Sequence, residues 1–230
     1  MSDTTTPLPR TPEPELMAGA EQARAYAEAD FTEPHDRFVA LFGESFPELG
    51  MTGRVADLGC GTADVTLRFA RAYPDCRIDG VDGSAAMLQH GLAAVAAAGL
   101  GERVTLLHGR LPEAVLPAAT YPVVISNSLL HHLHRPGVLW ATVDRLADTD
   151  AAVFIMDLLR PDSAAVVDRL VATYAATEPE ILQRDFRASL HAAFTVAEVR
   201  AQLRDAALDW LDVCVVSDRH LVVSGVRPGS

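Results

Sequence analysis

Val55-Ala-Asp-Leu-Gly-Cys-Gly-Thr-Ala-Asp64 is the stretch that decides the fold. It reads as a short apolar strand, Arg54 to Leu58, breaking into a Gly-x-Gly turn, with a helix-forming run from Val65 to Ala72 directly behind. A strand, a tight glycine turn and a helix N-terminus together form a seat for a nucleotide-like cofactor. Glycine there allows positive φ and removes the Cβ that would keep a ligand off the backbone. One βα unit later a second strand, Arg77 to Val81, ends at Asp82. An acid at that point can accept hydrogen bonds from both hydroxyls of a ribose.

Working outward, the chain alternates strand and helix. The pattern predicts strands near 54–58, 77–81, 103–108, 122–127 and 151–157, separated by helices near 64–72, 84–98, 137–147 and 162–176. Strands joined through helices imply right-handed crossovers and a mainly parallel α/β sheet. A helical region at 179–191 follows, and then Thr195-Val-Ala-Glu198 forms a capping box that opens a helix to about Ala206. Trp210–Val216 and His220–Val226 are β-rich, and their short link forces antiparallel pairing. Ahead of the first strand, residues 1–14 hold four prolines and are expected to be a disordered or loosely draped tail. Leu16 to Ala29 and a helix beginning at Pro34 then form an N-terminal helical cap over 15–50.

Composition narrows the function. At 230 residues and 49% apolar, the chain is expected to form one main domain with an ample core, spanning 51–230 and carrying a helical insertion at about 160–195. Lys plus Arg number 19 against 31 Asp plus Glu, a net charge of −12, and no basic run is present. Nucleic-acid affinity rests on cations displacing counterions, so a polymer of phosphates is not the expected partner. Cys60, Cys76 and Cys214 are widely spaced without histidine at ligand spacing, so neither a disulfide framework nor a metal site is expected. The polar, proline-rich start reads as no signal peptide, and no apolar run approaches a membrane span; the cytoplasm is the expected location.

Three segments together resemble the class I S-adenosylmethionine-dependent methyltransferases. Ala56-Asp-Leu-Gly-Cys-Gly-Thr62 matches that family's glycine-rich first motif. Val81-Asp-Gly-Ser-Ala-Ala-Met-Leu88 is similar to its second, and Val123-Val-Ile-Ser-Asn-Ser-Leu-Leu-His-His-Leu133 to the fourth-strand segment of small-molecule members. The resemblance implies a Rossmann-like seven-stranded sheet, mostly parallel with an antiparallel C-terminal hairpin, and S-adenosylmethionine as cofactor. It assigns cofactor binding to Asp57, Gly59, Cys60 and Gly61 in the first motif and to Asp82, Gly83 and Met87 in the second. Gly109, Arg110 and Leu111 follow the third strand; Asn127, Ser128 and His132 end the fourth. Many members carry Gly-Asp after the third strand, where this chain has His108-Gly-Arg-Leu-Pro112, so Arg110 stands in place of the acid.

Methyl transfer from a sulfonium depends chiefly on proximity and orientation, with a base needed only when the acceptor must lose a proton. His132, then His131, are the candidate bases, since histidine titrates near neutrality. Asp157, at the end of the fifth strand, either positions an acceptor or caps the helix after Pro161. Arg160 reads as a carboxylate clamp or as a salt-bridge partner of Asp157 or Asp162. Arg184 and Arg187, three apart on one helix, give a looser resemblance to the carboxy-S-adenosylmethionine synthases, where an insertion arginine meets the cofactor's extra carboxylate. The leading expectation is therefore a methyltransferase acting on a small-molecule acceptor at oxygen, nitrogen or carbon. Its rivals are a cofactor-modifying synthase and a catalytically silent binding module. The C-terminal hairpin and the insertion are the surfaces expected to serve a homodimer.

Overall fold

The computed structural model describes residues 8–17, 19–114, 116–118 and 120–229. Seven strands form one sheet: β1 (Gly53–Leu58), β2 (Cys76–Asp82), β3 (Val104–His108), β4 (Tyr121–Asn127), β5 (Ala147–Leu158), β6 (Asp212–Val215) and β7 (His220–Val226). Their order is β3-β2-β1-β4-β5-β7-β6. The first five run parallel, and β7 lies antiparallel between β5 and β6. The order reverses between β1 and β4, which opens a crevice at their carboxyl ends, the ligand-binding position of such sheets.

Strand residues alternate between two cores, as a period of two requires. Ala56, Leu58, Val124, Val153 and Ile155 face one layer with Trp140, Phe194, Val199 and Leu203. Val55, Val123, Ile125, Phe154 and Met156 face the other with Phe38, Phe42 and Phe69. The first layer holds α5 (Gly137–Leu146) and α8 (Val196–Asp205); the second holds α2 (Thr32–Ser45), α3 (Asp64–Ala72) and α4 (Ala85–Ala97). Helices α6 (Ala164–Tyr174) and α7 (Glu180–Ala192) pack around a third cluster of Leu158, Val167, Leu170 and Leu190. The capping box forms as expected, with Thr195 accepting from the Glu198 N–H and Glu198 accepting from the Thr195 N–H.

Three expectations need correction. Helix α1 spans only Ala20–Glu28, and Leu16 and Met17 belong to an extended segment before it. Helix α2 begins at Thr32, two residues before Pro34, because Asp30 Oδ1 accepts from the Thr32 N–H and starts the turn early. The third concerns the tail: residues 1–7 lie outside the described residues, but 8–14 are docked. The Leu8 N–H donates to Asp162 O and the Thr11 N–H to His191 O. Arg10 donates to the carbonyls of Ala192, His131 and Leu133, and its guanidinium lies 3.9 Å from the Phe194 ring centroid. The prolines leave this segment without regular secondary structure, and side-chain and main-chain bonds hold it as a strap.

Candidate active site

The glycine turn after β1 hangs from the end of β2. Gly59 and Cys60 both donate to Val81 O, at 2.8 and 3.1 Å. Gly59 and Gly61 have φ of 76° and 52°, and a Cβ on Gly59 would sit 2.9 Å from Leu129. Asp82 closes the same turn: Oδ2 accepts from the Gly61 N–H at 2.9 Å and Oδ1 from the Ser84 N–H at 2.7 Å. Each oxygen keeps a lone pair for a ligand. Burial holds the Asp82 carboxyl above its ordinary range, against these two bonds.

Around this turn the predicted residues fall on one cleft of about 870 Å³, within the range of ligand sites. It is lined by Asp57, Gly59, Cys60, Gly61, Asp82, Gly83 and Met87, by Gly109 to Leu111, and by Asn127, Ser128, His131 and His132. Their environments differ. Asp57 is buried and accepts from Thr66 Oγ1 at 2.6 Å; burial pushes it up to about 7, against that bond. Cys60 is buried with its thiol pushed well up by desolvation, which makes it a packing residue against Gly80. Gly83 is overlain by Leu16 of the strap and by Arg110, close enough that a Cβ there would meet them at 2.8 and 3.2 Å. Asn127 Oδ1 is buried without a hydrogen-bond partner, an acceptor suited to a ligand N–H.

The histidines are set by a short 3₁₀ turn, Leu130–His132. Asp157 organises it: Oδ2 accepts from the Leu130 N–H at 2.7 Å, while Oδ1 pairs with His131 Nδ1 at 2.6 Å. Burial disfavours a charge on His131, but the Asp157 carboxylate outweighs it and holds the ring above its ordinary pKa. His132 is driven the other way, down to about 3, by burial and by His131. The two rings are 4.3 Å apart. Asp157, expected to position an acceptor or to cap the helix after Pro161, does not line the cleft and stands behind His131 instead. Asp157 supports His131 and not His132, although His132 was expected to come first of the two.

Sequence reasoning missed Glu13. The strap carries it into the cleft, where Oε1 lies 3.5 Å from His131 Nε2 and 3.2 Å from His132 Nδ1. Ser189 Oγ donates to the same oxygen at 3.0 Å, and His134 Nε2 pairs with the Glu13 carbonyl at 2.7 Å. No local motif marks such a residue; it was read as part of a tail. The cap also supplies Tyr26, Phe31 and His35 to the cleft lining, with ring centroids 4.6 and 5.3 Å apart, and His35 is bound to Asp64 at 2.6 Å. Arg160 pairs with Glu198 at 2.6 Å instead of an aspartate. Arg184 pairs with Asp185 and Arg187 with Asp168, and neither lines the cleft, so the feature that suggested a carboxylated cofactor is not in place.

Residues 55–150 match the family model described as a methyltransferase domain. A trans-aconitate 2-methyltransferase of Streptomyces avermitilis is 41% identical over 111 residues, which covers 44% of this chain and 38% of that protein. A ribosomal protein uL3 glutamine methyltransferase of Bordetella pertussis is 39% identical over 74 residues, 32% of this chain and 24% of the relative. The chain thus matches well under half the length of these curated relatives. Among solved structures, a methyltransferase dependent on S-adenosylmethionine from Aquifex aeolicus superposes with TM-score 0.64 at 16% identity, covering 90% of this chain and 98% of its own. The plantazolicin methyltransferase, solved with S-adenosylhomocysteine, superposes at 0.66 with 12% identity, covering 90% and 91%. The match over 55–150 marks that stretch as similar to a methyltransferase domain, and the fold shared with these solved structures agrees with the glycine turn and Asp82 at the strand ends.

Proposed function

We propose that the protein transfers a methyl group from S-adenosylmethionine to a small-molecule acceptor held between the sheet, the helical cap and the strap. The observation that carries the cofactor half is the cradle at the ends of β1, β2 and β4. Two positive-φ glycines let a ligand approach the backbone, a pinned carboxylate offers two acceptor positions, and a buried amide oxygen lacks a donor. A ribose diol at Asp82 and an amino group at Asn127 would satisfy these groups. When bound, the sulfonium supplies its methyl carbon to an acceptor lone pair, and sulfur keeps the electron pair of the broken bond.

The chain's own contribution is positioning and exclusion of water. Tyr26, Phe31 and His35 line the cleft, and Leu16 closes over Gly83. An acceptor that must lose a proton meets Glu13, His131 and His132 there. A small molecule is favoured over a polymer because strap and cap both roof the cleft, and the net charge of −12 repels polyanions. Free thiols at Cys60, Cys76 and Cys214, and no helix among the described residues long and apolar enough to cross a membrane, support a cytoplasmic placement. Calorimetric titration with S-adenosylhomocysteine tests the reading. Asp82→Ala is expected to weaken binding by roughly 30- to 1000-fold, from about 2–4 kcal/mol of lost hydrogen bonds. Equal affinity in a folded variant would remove Asp82 from the cofactor site.

A further inference from the structure

We infer that Glu13, His131 and His132 form a binding site for a divalent transition-metal ion, of the zinc class, on the wall of the acceptor cleft. The three donor atoms lie within 4.8 Å of one another. Glu13 Oε1 is 3.5 Å from His131 Nε2 and 3.2 Å from His132 Nδ1. Around a tetrahedral ion with bonds of about 2.0–2.1 Å, adjacent ligand atoms stand about 3.3 Å apart. The two Glu13 separations bracket that edge, and the two histidine nitrogens lie within 4.8 Å of each other. One is too long for a hydrogen bond; the other is short enough, yet His132 Nδ1 remains buried without a partner. A bridging cation accounts for an unpaired nitrogen and a carboxylate oxygen held side by side.

The surroundings supply what first ligands need. A metal-bound histidine characteristically gives its other ring nitrogen to a carboxylate, which fixes tautomer and orientation. His131 does so to Asp157 at 2.6 Å, and Asp157 is itself fixed by the N–H groups of Leu130 and Leu158. Ser189 Oγ orients the Glu13 carboxylate, and the His134 ring holds the Glu13 backbone. Two imidazoles and one carboxylate make a donor set suited to zinc and its first-row neighbours. Three protein ligands with one exchangeable position characterise catalytic zinc, in contrast to closed structural sites. All three ligands line the cleft proposed above for the acceptor. What the ion does rests on the methyl-transfer reading: an acceptor hydroxyl bound to it would release its proton to water more readily, leaving an oxyanion to attack the methyl carbon. The binding of the ion does not rest on that reading. It departs from the expectation drawn from cysteine spacing, because the third ligand comes from the strap.

The test uses the untagged full chain, stripped with chelator and titrated with Zn²⁺ against a chromophoric competitor, and separately with Co²⁺ to read the d–d absorption of a tetrahedral complex. One equivalent of Zn²⁺ is expected, with a tetrahedral Co²⁺ spectrum. Glu13→Gln and His132→Ala are each expected to weaken Zn²⁺ at least tenfold, and Asp157→Asn by about 10- to 100-fold through the loss of outer-shell support. Glu13→Gln sits on the strap and leaves the sheet intact, so it remains informative if the Asp157 variant fails to fold. Absence of stoichiometric uptake, or wild-type affinity in both Glu13→Gln and His132→Ala, overturns the site. S-adenosylhomocysteine titration of the stripped protein separates this outcome from failure of the methyltransferase reading.

Discussion

Arg10→Ala tests whether residues 8–17 are a latched strap. Arg10 donates to three carbonyls, at 2.6, 2.9 and 3.2 Å, and lies over Phe194. At about 1 kcal/mol for each bond in this half-buried setting, and about 0.5–1 kcal/mol for the cation–π contact, the gross loss is about 4 kcal/mol. Freeing the long side chain returns about 1–2 kcal/mol of rotamer entropy. The net, about 2–3 kcal/mol, acts on local opening and not on global unfolding, since the strap carries little of the core. Opening should therefore become roughly 30- to 140-fold more frequent. Hydrogen exchange reads this at the Thr11 amide, which donates to His191 O at 2.9 Å. The same factor should appear there, while amides of β1 and β4 keep their protection. A change below about threefold at Thr11 would refute the latch, because the three bonds would then contribute nothing to holding the segment.

Other substitutions probe the buried acid behind the glycine turn and the packing around β7. Burial raises Asp57 to about 7 from an ordinary 3.8, so between those values the folded state holds a proton that the unfolded state has released. Stability accordingly falls as pH rises through that window, by up to about 4 kcal/mol in all. Asp57→Asn still accepts from Thr66 and cannot ionise; its melting temperature relative to wild type should climb between about pH 4 and about pH 7 and level off above that. A difference constant with pH would contradict the assignment. On β7, a Cβ on Gly225 would lie 2.5 Å from Trp210 O, a backbone atom that cannot yield cheaply. Gly225→Ala should lose about 1–3 kcal/mol and several degrees of melting temperature, whereas Gly101→Ala, with open space around it, should be near neutral.

The wound sheet was legible because its signals are local. Each strand's apolar run, the glycine turn and the Thr195–Glu198 capping box depend on neighbours within a few residues, and the elements fell close to their expected bounds. Helix starts were less legible where a side chain one or two residues upstream decided them, as Asp30 did for α2. The glycine-turn side of the cleft was also readable, since Gly59, Gly61 and Asp82 stand at strand ends that topology brings together. The partners of Arg160 and Arg187 were not, because opposite charges abound on this acidic chain and only packing selects among them.

Sequence alone determined the alternation of strands and helices, the glycine turn and the acid that ends β2, because periodicity, glycine and strand-end position act over short range. Tertiary structure decided the rest of the site. It turned Asp157 away from the cleft and set it behind His131, and it drew Glu13 from an apparently idle tail to the two histidines. Both depend on contacts between residues far apart in the chain. Such contacts leave no spacing in a sequence, because what joins them is the folded surface on which the strap lies.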